Sequence, residues 1–198
     1  MSDKKDIDTE QLIKNTAKRM FFGEGLYNAT TQEIADKAGV NRTLINYYFR
    51  SRDNLFQIIF DEAREEEVAF TDNIMSLDIP FKEKISGYLD MYFEQSEKYP
   101  YLEIYMVTQM NQNCHYSKDP EVMERVLDKF YLEIALEMEK GNIMKMRPEQ
   151  FLLNMISLTC FPISMRPLIE QSLGCTTAQY SALLAERKEI IMNTLFKQ

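Results

Sequence analysis

The stretch from Thr30 to Phe49 constrains this chain more than any other part of it. Thr30 is followed three residues later by Glu33, the capping-box pattern that opens a helix. Ile34, Ala35 and Ala38 lie on one side of that helix, and Gly39 ends it by permitting a left-handed backbone. Asn41 suits the N-cap of a second short helix. That helix must bury Leu44 or Ile45 beside Val40, which leaves Arg42, Thr43, Asn46 and Tyr47 mostly outward. Ala38, Gly39 and Val40 supply, in order, a small residue where two helices approach, a turn residue, and an apolar anchor for the second helix. These are the dimensions of a helix-turn-helix, whose second helix fits a DNA major groove with its N-terminal half against base edges. Such a spacing also arises in helical proteins that never meet DNA, so it leaves both readings open.

The rest of the chain repeats the helical period. Leu12, Ile13, Ala17, Met20 and Phe21 mark a helix from Thr9 to Phe22, stopped by Gly23 and Gly25. Ser51 caps a long helix reaching roughly Phe70, with Leu55, Ile58, Ile59 and Ala63 as its stripe. Further helices are expected from Pro80 to Tyr99, from Tyr101 to about Gln112, and from Asp119-Pro120-Glu121 to Gly141. Met146 to Leu173 reads as one apolar segment interrupted by Pro162 and Pro167, and Thr176 or Thr177 caps a last helix through Leu195. The expected fold is all-α with about nine helices. Residues 1–56 form a three-helix helix-turn-helix domain, with a linking helix beginning near residue 51, and 57–198 form a larger helical domain.

Composition limits the chemistry. The chain has 198 residues, of which 45% are hydrophobic, enough to bury a core. Its formal net charge of -8 is uneven: residues 1–60 hold 9 basic and 8 acidic side chains, whereas 61–198 hold 14 and 23. The acidity therefore lies outside the helix-turn-helix. Arg42, Arg50 and Arg52 cluster there, with Lys37 nearby and Lys4 and Lys5 at the N-terminus; the cluster serves either phosphates or solvent. A single histidine, His115, excludes a His-rich metal cage and His-pair catalysis. Cys114, Cys160 and Cys175 form no disulfide framework, and the Cys114-His115 pair is too isolated for a metal or redox centre. No nucleophile–base pair or Gly-rich phosphate loop is present, and Glu65-Glu66-Glu67 reads as a solvated face. The chain is therefore expected to be no enzyme and to need no cofactor or metal. It has no apolar run near the roughly 20 residues that span a bilayer and no signal-peptide pattern, so a cytoplasmic protein without membrane contact is expected.

The run TTQEIADKAGVNRTLINYYFRSRDNLF resembles the tetracycline-repressor (TetR) family of bacterial transcriptional regulators. The family pattern is an amphipathic helix ending in F-x-x-x-G, then T-T-x-x-I-A-x-x-A-G-V, then a short helix closing on Y-x-x-F, then S-K-x-x-L. Phe21 to Gly25, Thr30 to Val40, Tyr48-Phe49 and Ser51-Arg52 through Leu55 match it in order, over roughly residues 8 to 56. Three positions depart: Thr43 stands where a small residue is common, Asn46 where a tyrosine is common, and Arg52 in place of the usual lysine. The resemblance implies that Thr31 and Gln32 meet the phosphate backbone, that Arg42 and Thr43 face the groove, and that Asn46 reaches a base edge. It also implies that Tyr47 and Tyr48 bond phosphates and that Arg52 holds one. Tyr48 could instead pack on the first helix, and Thr31 could serve only as a cap. Phe49, Ile34, Val40 and Ile45 are core positions.

By the same resemblance the chain is a repressor that binds a palindromic operator in double-stranded DNA as a homodimer and is released by a small, mostly apolar inducer. Thirteen Met and 23 aromatic residues suit an adaptable cavity. Candidate lining residues are Tyr88, Met91, Tyr92, Tyr105, Met106, Met110, Phe130 and Tyr131, with ordinary core packing as the alternative for each. For the dimer surface the last two helices are favoured, through Phe151, Met155, Leu158, Phe161, Leu184 and Ile191; the alternative is a central core helix. A reading of another class also fits, in which a helical-bundle carrier or scaffold uses its N-terminal unit for protein contacts.

Overall fold

A computed structural model describes residues 2–111 and 120–197, excepting the side chains of 2–7 and 110. Cys114, His115 and Asp119, and the side chains of Lys4, Lys5 and Met110, lie outside the described residues. Among those described there are ten α-helices and no strand: α1 (Ser2–Lys18), α2 (Thr31–Ala38), α3 (Arg42–Phe49), α4 (Arg52–Ser76), α5 (Phe81–Lys98), α6 (Leu102–Met110), α7 (Pro120–Glu139), α8 (Pro148–Ser164), α9 (Arg166–Leu173) and α10 (Thr177–Leu195). The chain divides into two compact units, one reaching Glu67 and including Lys98–Leu102, the other holding Val68–Glu97 and the residues from Glu103 onward. None of the helices is by itself long and apolar enough to cross a membrane.

In the first unit, a π turn at Arg19–Gly23 follows α1. Its wider coil lets three successive side chains, Met20, Phe21 and Phe22, turn inward together. Phe56 of α4 meets the edges of both phenylalanines, with ring centroids at 5.4 and 5.8 Å. Ile13 and Ala17 of α1, Ile34 and Ala35 of α2, and Ile45 and Phe49 of α3 complete the core with Leu55, Ile59 and Phe60. The tyrosine ring of Tyr101 closes over Gly25, where a Cβ would approach it to 2.9 Å. With a φ of +68° as well, that position excludes any larger residue.

The second unit is built around phenylalanines. Phe81 of α5 meets Phe130 of α7 at 5.6 Å and Phe151 of α8 at 6.1 Å, while Phe196 packs on both Phe81 and Phe151. Ile85, Leu89, Ile134, Ile143, Met155, Ile191 and Leu195 extend this core. Lys84 is buried within it, donating to the Met75 carbonyl at 3.1 Å and to Glu133 at 2.6 Å, so its charge is paired.

The segment Met146–Leu173, read from the sequence as apolar and interrupted by Pro162 and Pro167, is two helices with axes 75° apart around Met165. Pro162 does not break α8. Lacking an N–H, it leaves the carbonyl of Leu158, one turn earlier, without its helical donor. Arg187 of α10 supplies that donor at 2.9 Å, and the Tyr180 hydroxyl caps the Pro162 carbonyl at 2.6 Å. Three dimer-surface candidates are corrected by burial: Phe151, Met155 and Ile191 are sealed in the unit's own core because the other helices of the unit already cover them. Leu158 and Leu184 are half-buried and Phe161 is exposed.

Candidate nucleic-acid interface

Local hydrogen bonds build the turn between α2 and α3. Thr30 and Glu33 form both halves of the capping box, the Glu33 N–H donating to the Thr30 hydroxyl at 3.2 Å and the Thr30 N–H to the Glu33 carboxylate at 2.7 Å. The Thr30 N–H, and after it the Thr30 hydroxyl, donate to the Glu33 carboxylate and hold it below the usual carboxylate range. Gly39 has φ +69°, and the N–H of Val40 returns to the Ala35 carbonyl at 3.0 Å, closing α2 in a left-handed cap. Asn41 then accepts from the Thr43 N–H at 2.9 Å and starts α3.

The inward face of α3 is Ile45 and Phe49, at 0% and 1% exposure. Arg42, Thr43, Asn46 and Tyr47 are exposed on the other side, Tyr47 most of all at 76%. Arg42 is braced: its Nε donates to the Thr31 hydroxyl at 3.0 Å, which orients the guanidinium from the start of α2. Gln32 is exposed on α2 and bonded to Asp36 at 2.8 Å. Tyr48 is half-buried, its ring between those of Tyr47 and Phe49.

Residues 13–59, which make this arrangement, match the family described as bacterial regulatory proteins, tetR family. That segment carries the N-terminal domain of the TetR family. The likeness in fold extends well beyond the matched residues. A TetR/AcrR-family regulator from Thermobifida fusca superposes with a TM-score of 0.61 at 14% identity, covering 94% of this chain and 97% of that one. The fatty acid degradation regulator FadR from Bacillus halodurans gives 0.61 at 17% identity, with 92% and 94% covered. A TetR-family regulator from Haemophilus influenzae gives 0.57 at 15%, with 96% and 98% covered. A comparison with curated proteins returned no match. Within the matched residues, α2–α3 is the helix-turn-helix of that family's domain.

One residue of the TetR pattern behaves differently from expectation. Arg52, placed by the resemblance on a phosphate, is turned back onto its own unit. Its guanidinium stacks on Phe21 at 4.8 Å and donates to the backbone carbonyls of Tyr27 and Ala29 and to Asp53. An arginine's planar guanidinium has the five donors to clip this loop and the flat face to stack on Phe21, where a lysine offers only a compact ammonium.

In the second unit, a cavity of about 250 Å³ opens among Val68, Ile74, Ile85, Tyr88, Val126, Phe130, Leu152, Met155 and their neighbours. Of the expected lining residues, Tyr88 and Phe130 are there. Met91, Tyr92, Tyr105, Met106 and Tyr131 are not among its walls, because they sit on other faces of α5, α6 and α7. The helical period of a single segment does not say which of several buried faces borders a void, which is why Val68 and Met155 were missed. The Tyr92 hydroxyl is instead buried beside Glu103 and Cys160, which pushes it well above its ordinary value, burial first and the Glu103 charge next. Among the described residues no cluster of His, Cys, Asp or Glu could hold a metal ion.

Proposed function

We propose that this protein is a repressor of the TetR type that binds a palindromic operator as a homodimer and releases it when a small apolar molecule occupies the second unit. The observation that carries the reading is α3: a polar, exposed row of Arg42, Thr43, Asn46 and Tyr47 backed by fully buried Ile45 and Phe49. A protein-docking helix would present apolar side chains on that row. In this reading Arg42 and Thr43 face bases, Asn46 reads a base edge, and Thr31, Gln32, Tyr47 and Tyr48 hold phosphates.

One short helix reads few base pairs, so two copies spaced by a helical turn are needed for a specific address. The surface that suits the second copy is the exposed apolar row of Leu153 and Phe161 on α8 with Leu183 and Ile190 on α10. The residues from 57 onward carry this contact and the ligand. The cavity walls are nearly all apolar, which fits an aliphatic or aromatic ligand. That FadR, a structural neighbour, is a regulator of fatty acid degradation makes acyl chains the first class to try.

Selection from random duplexes tests the DNA reading, with a palindromic consensus expected; recovery of no preferred sequence would remove it. Melting of the protein with octanoate and decanoate tests the ligand class. A raised melting temperature together with release of the selected duplex is expected, and compounds that stabilise the protein without releasing DNA would refute the inducer assignment.

A further inference from the structure

Five described residues have positive φ, and four are glycines: Gly25, Gly39, Gly141 and Gly174. At Gly39, Gly141 and Gly174 a Cβ would meet nothing within 4 Å, so the backbone angle alone accounts for glycine there. The fifth is Arg50, between α3 and α4, with φ 65° and ψ −42°. The N–H of Ser51 donates to the Phe49 carbonyl at 2.7 Å across it. This is a γ-turn of the rare, strained kind with a positive central φ. A glycine would relieve the strain, and glycine stands at every other position of positive φ among the described residues.

The side chain held there is exposed, and among the described residues it has no ion pair or hydrogen-bond partner. It follows α3 directly, its own N–H bonded to the Asn46 carbonyl at 3.0 Å, so it continues the helix that carries the exposed polar row. Two residues later, Arg52 is tied to the Tyr27 and Ala29 carbonyls and stacked on Phe21. The cation free to meet a phosphodiester at this corner is therefore Arg50. We propose that Arg50 is a DNA-phosphate contact, kept in a strained turn at the expense of fold stability. The inference rests on the DNA-binding reading above.

The test uses the full chain and the palindromic duplex that the wild-type protein selects from a random pool, with affinity measured across a salt series. R50A keeps the strain and removes the charge; R50G removes both. Each is expected to weaken binding about tenfold per protomer near 0.1 M salt and to flatten the salt slope by about one per protomer. R50G alone is expected to melt about 2–4 °C higher than wild type. The stabilised variant would thus be the weaker binder. If both variants keep the wild-type slope, or if only R50G loses it, the contact is refuted, the second result pointing to turn flexibility instead. If the wild-type protein selects no duplex, the DNA-binding reading falls and this inference with it.

Discussion

Arg42 owes its readiness to a neighbour. The 3.0 Å bond from its Nε to Thr31 leaves the two terminal nitrogens of the guanidinium as the free fork, the geometry that pairs with the acceptor edge of a guanine. Arg42→Ala is expected to cost about 1–3 kcal/mol of operator affinity and to relax preference at one base position, as read by binding to singly substituted duplexes. A uniform loss across all duplexes would make Arg42 a phosphate contact. Glu103 illustrates the opposite case, a charge without a clear benefit to stability. Burial raises its carboxyl above the usual value, outweighing the lowering influence of the neighbouring Tyr92 and Cys160. The folded state therefore holds this proton to higher pH than the unfolded chain does, and stability falls as pH rises from the ordinary carboxylate value through the raised one. Glu103→Gln removes that decline. Its melting temperature should gain on wild type across that window and match it most closely in acid; a difference independent of pH would show that the carboxyl does not titrate there.

The proline in α8 shows how a helix keeps a residue that should break it. Arg187 of α10 satisfies the Leu158 carbonyl that the missing proline N–H leaves open, and Tyr180 the Pro162 carbonyl left open by the end of α8. Arg187→Met should cost about 1–3 kcal/mol by orphaning the Leu158 carbonyl. Adding Pro162→Ala restores the helical N–H and should recover much of that loss, measured as a double-mutant cycle in urea. Additive costs would mean that Arg187 contributes through packing alone. In the first unit the capping box of α2 stands by itself, and Thr30→Ala should cost about 1 kcal/mol in the same assay.

In the homodimeric reading, assembly links operator binding to the second unit. The exposed row on α8 and α10 holds Phe161 at 54% and Leu153 at 54%, apolar surface that suits the second copy proposed above. Phe161→Asp is expected to give a helical monomer by sedimentation and to abolish tight operator binding, since a single α3 reads too little sequence. A dimeric Phe161→Asp protein would place the contact elsewhere. The residues named in advance for this surface divide sharply: Phe161 is exposed, whereas Phe151 and Ile191 are at 0% exposure. All three are apolar at helical spacing, and nothing along the chain distinguishes an inward position from one left for a partner.

The capping box at Thr30, the left-handed turn at Gly39 and the cap at Asn41 could be read directly from the amino acids, as could the outward row on α3. Each depends on groups within a few residues of one another, where backbone hydrogen bonding and steric allowance act with no help from elsewhere. The angle of the bend at Met165, the retraction of Arg52 onto Phe21 and the loop, the walls of the cavity and the strained turn at Arg50 emerged only with the chain folded. Those features turn on which surfaces distant segments cover and which donors they lend, and burial of that kind is decided by packing between helices that the linear order does not contain.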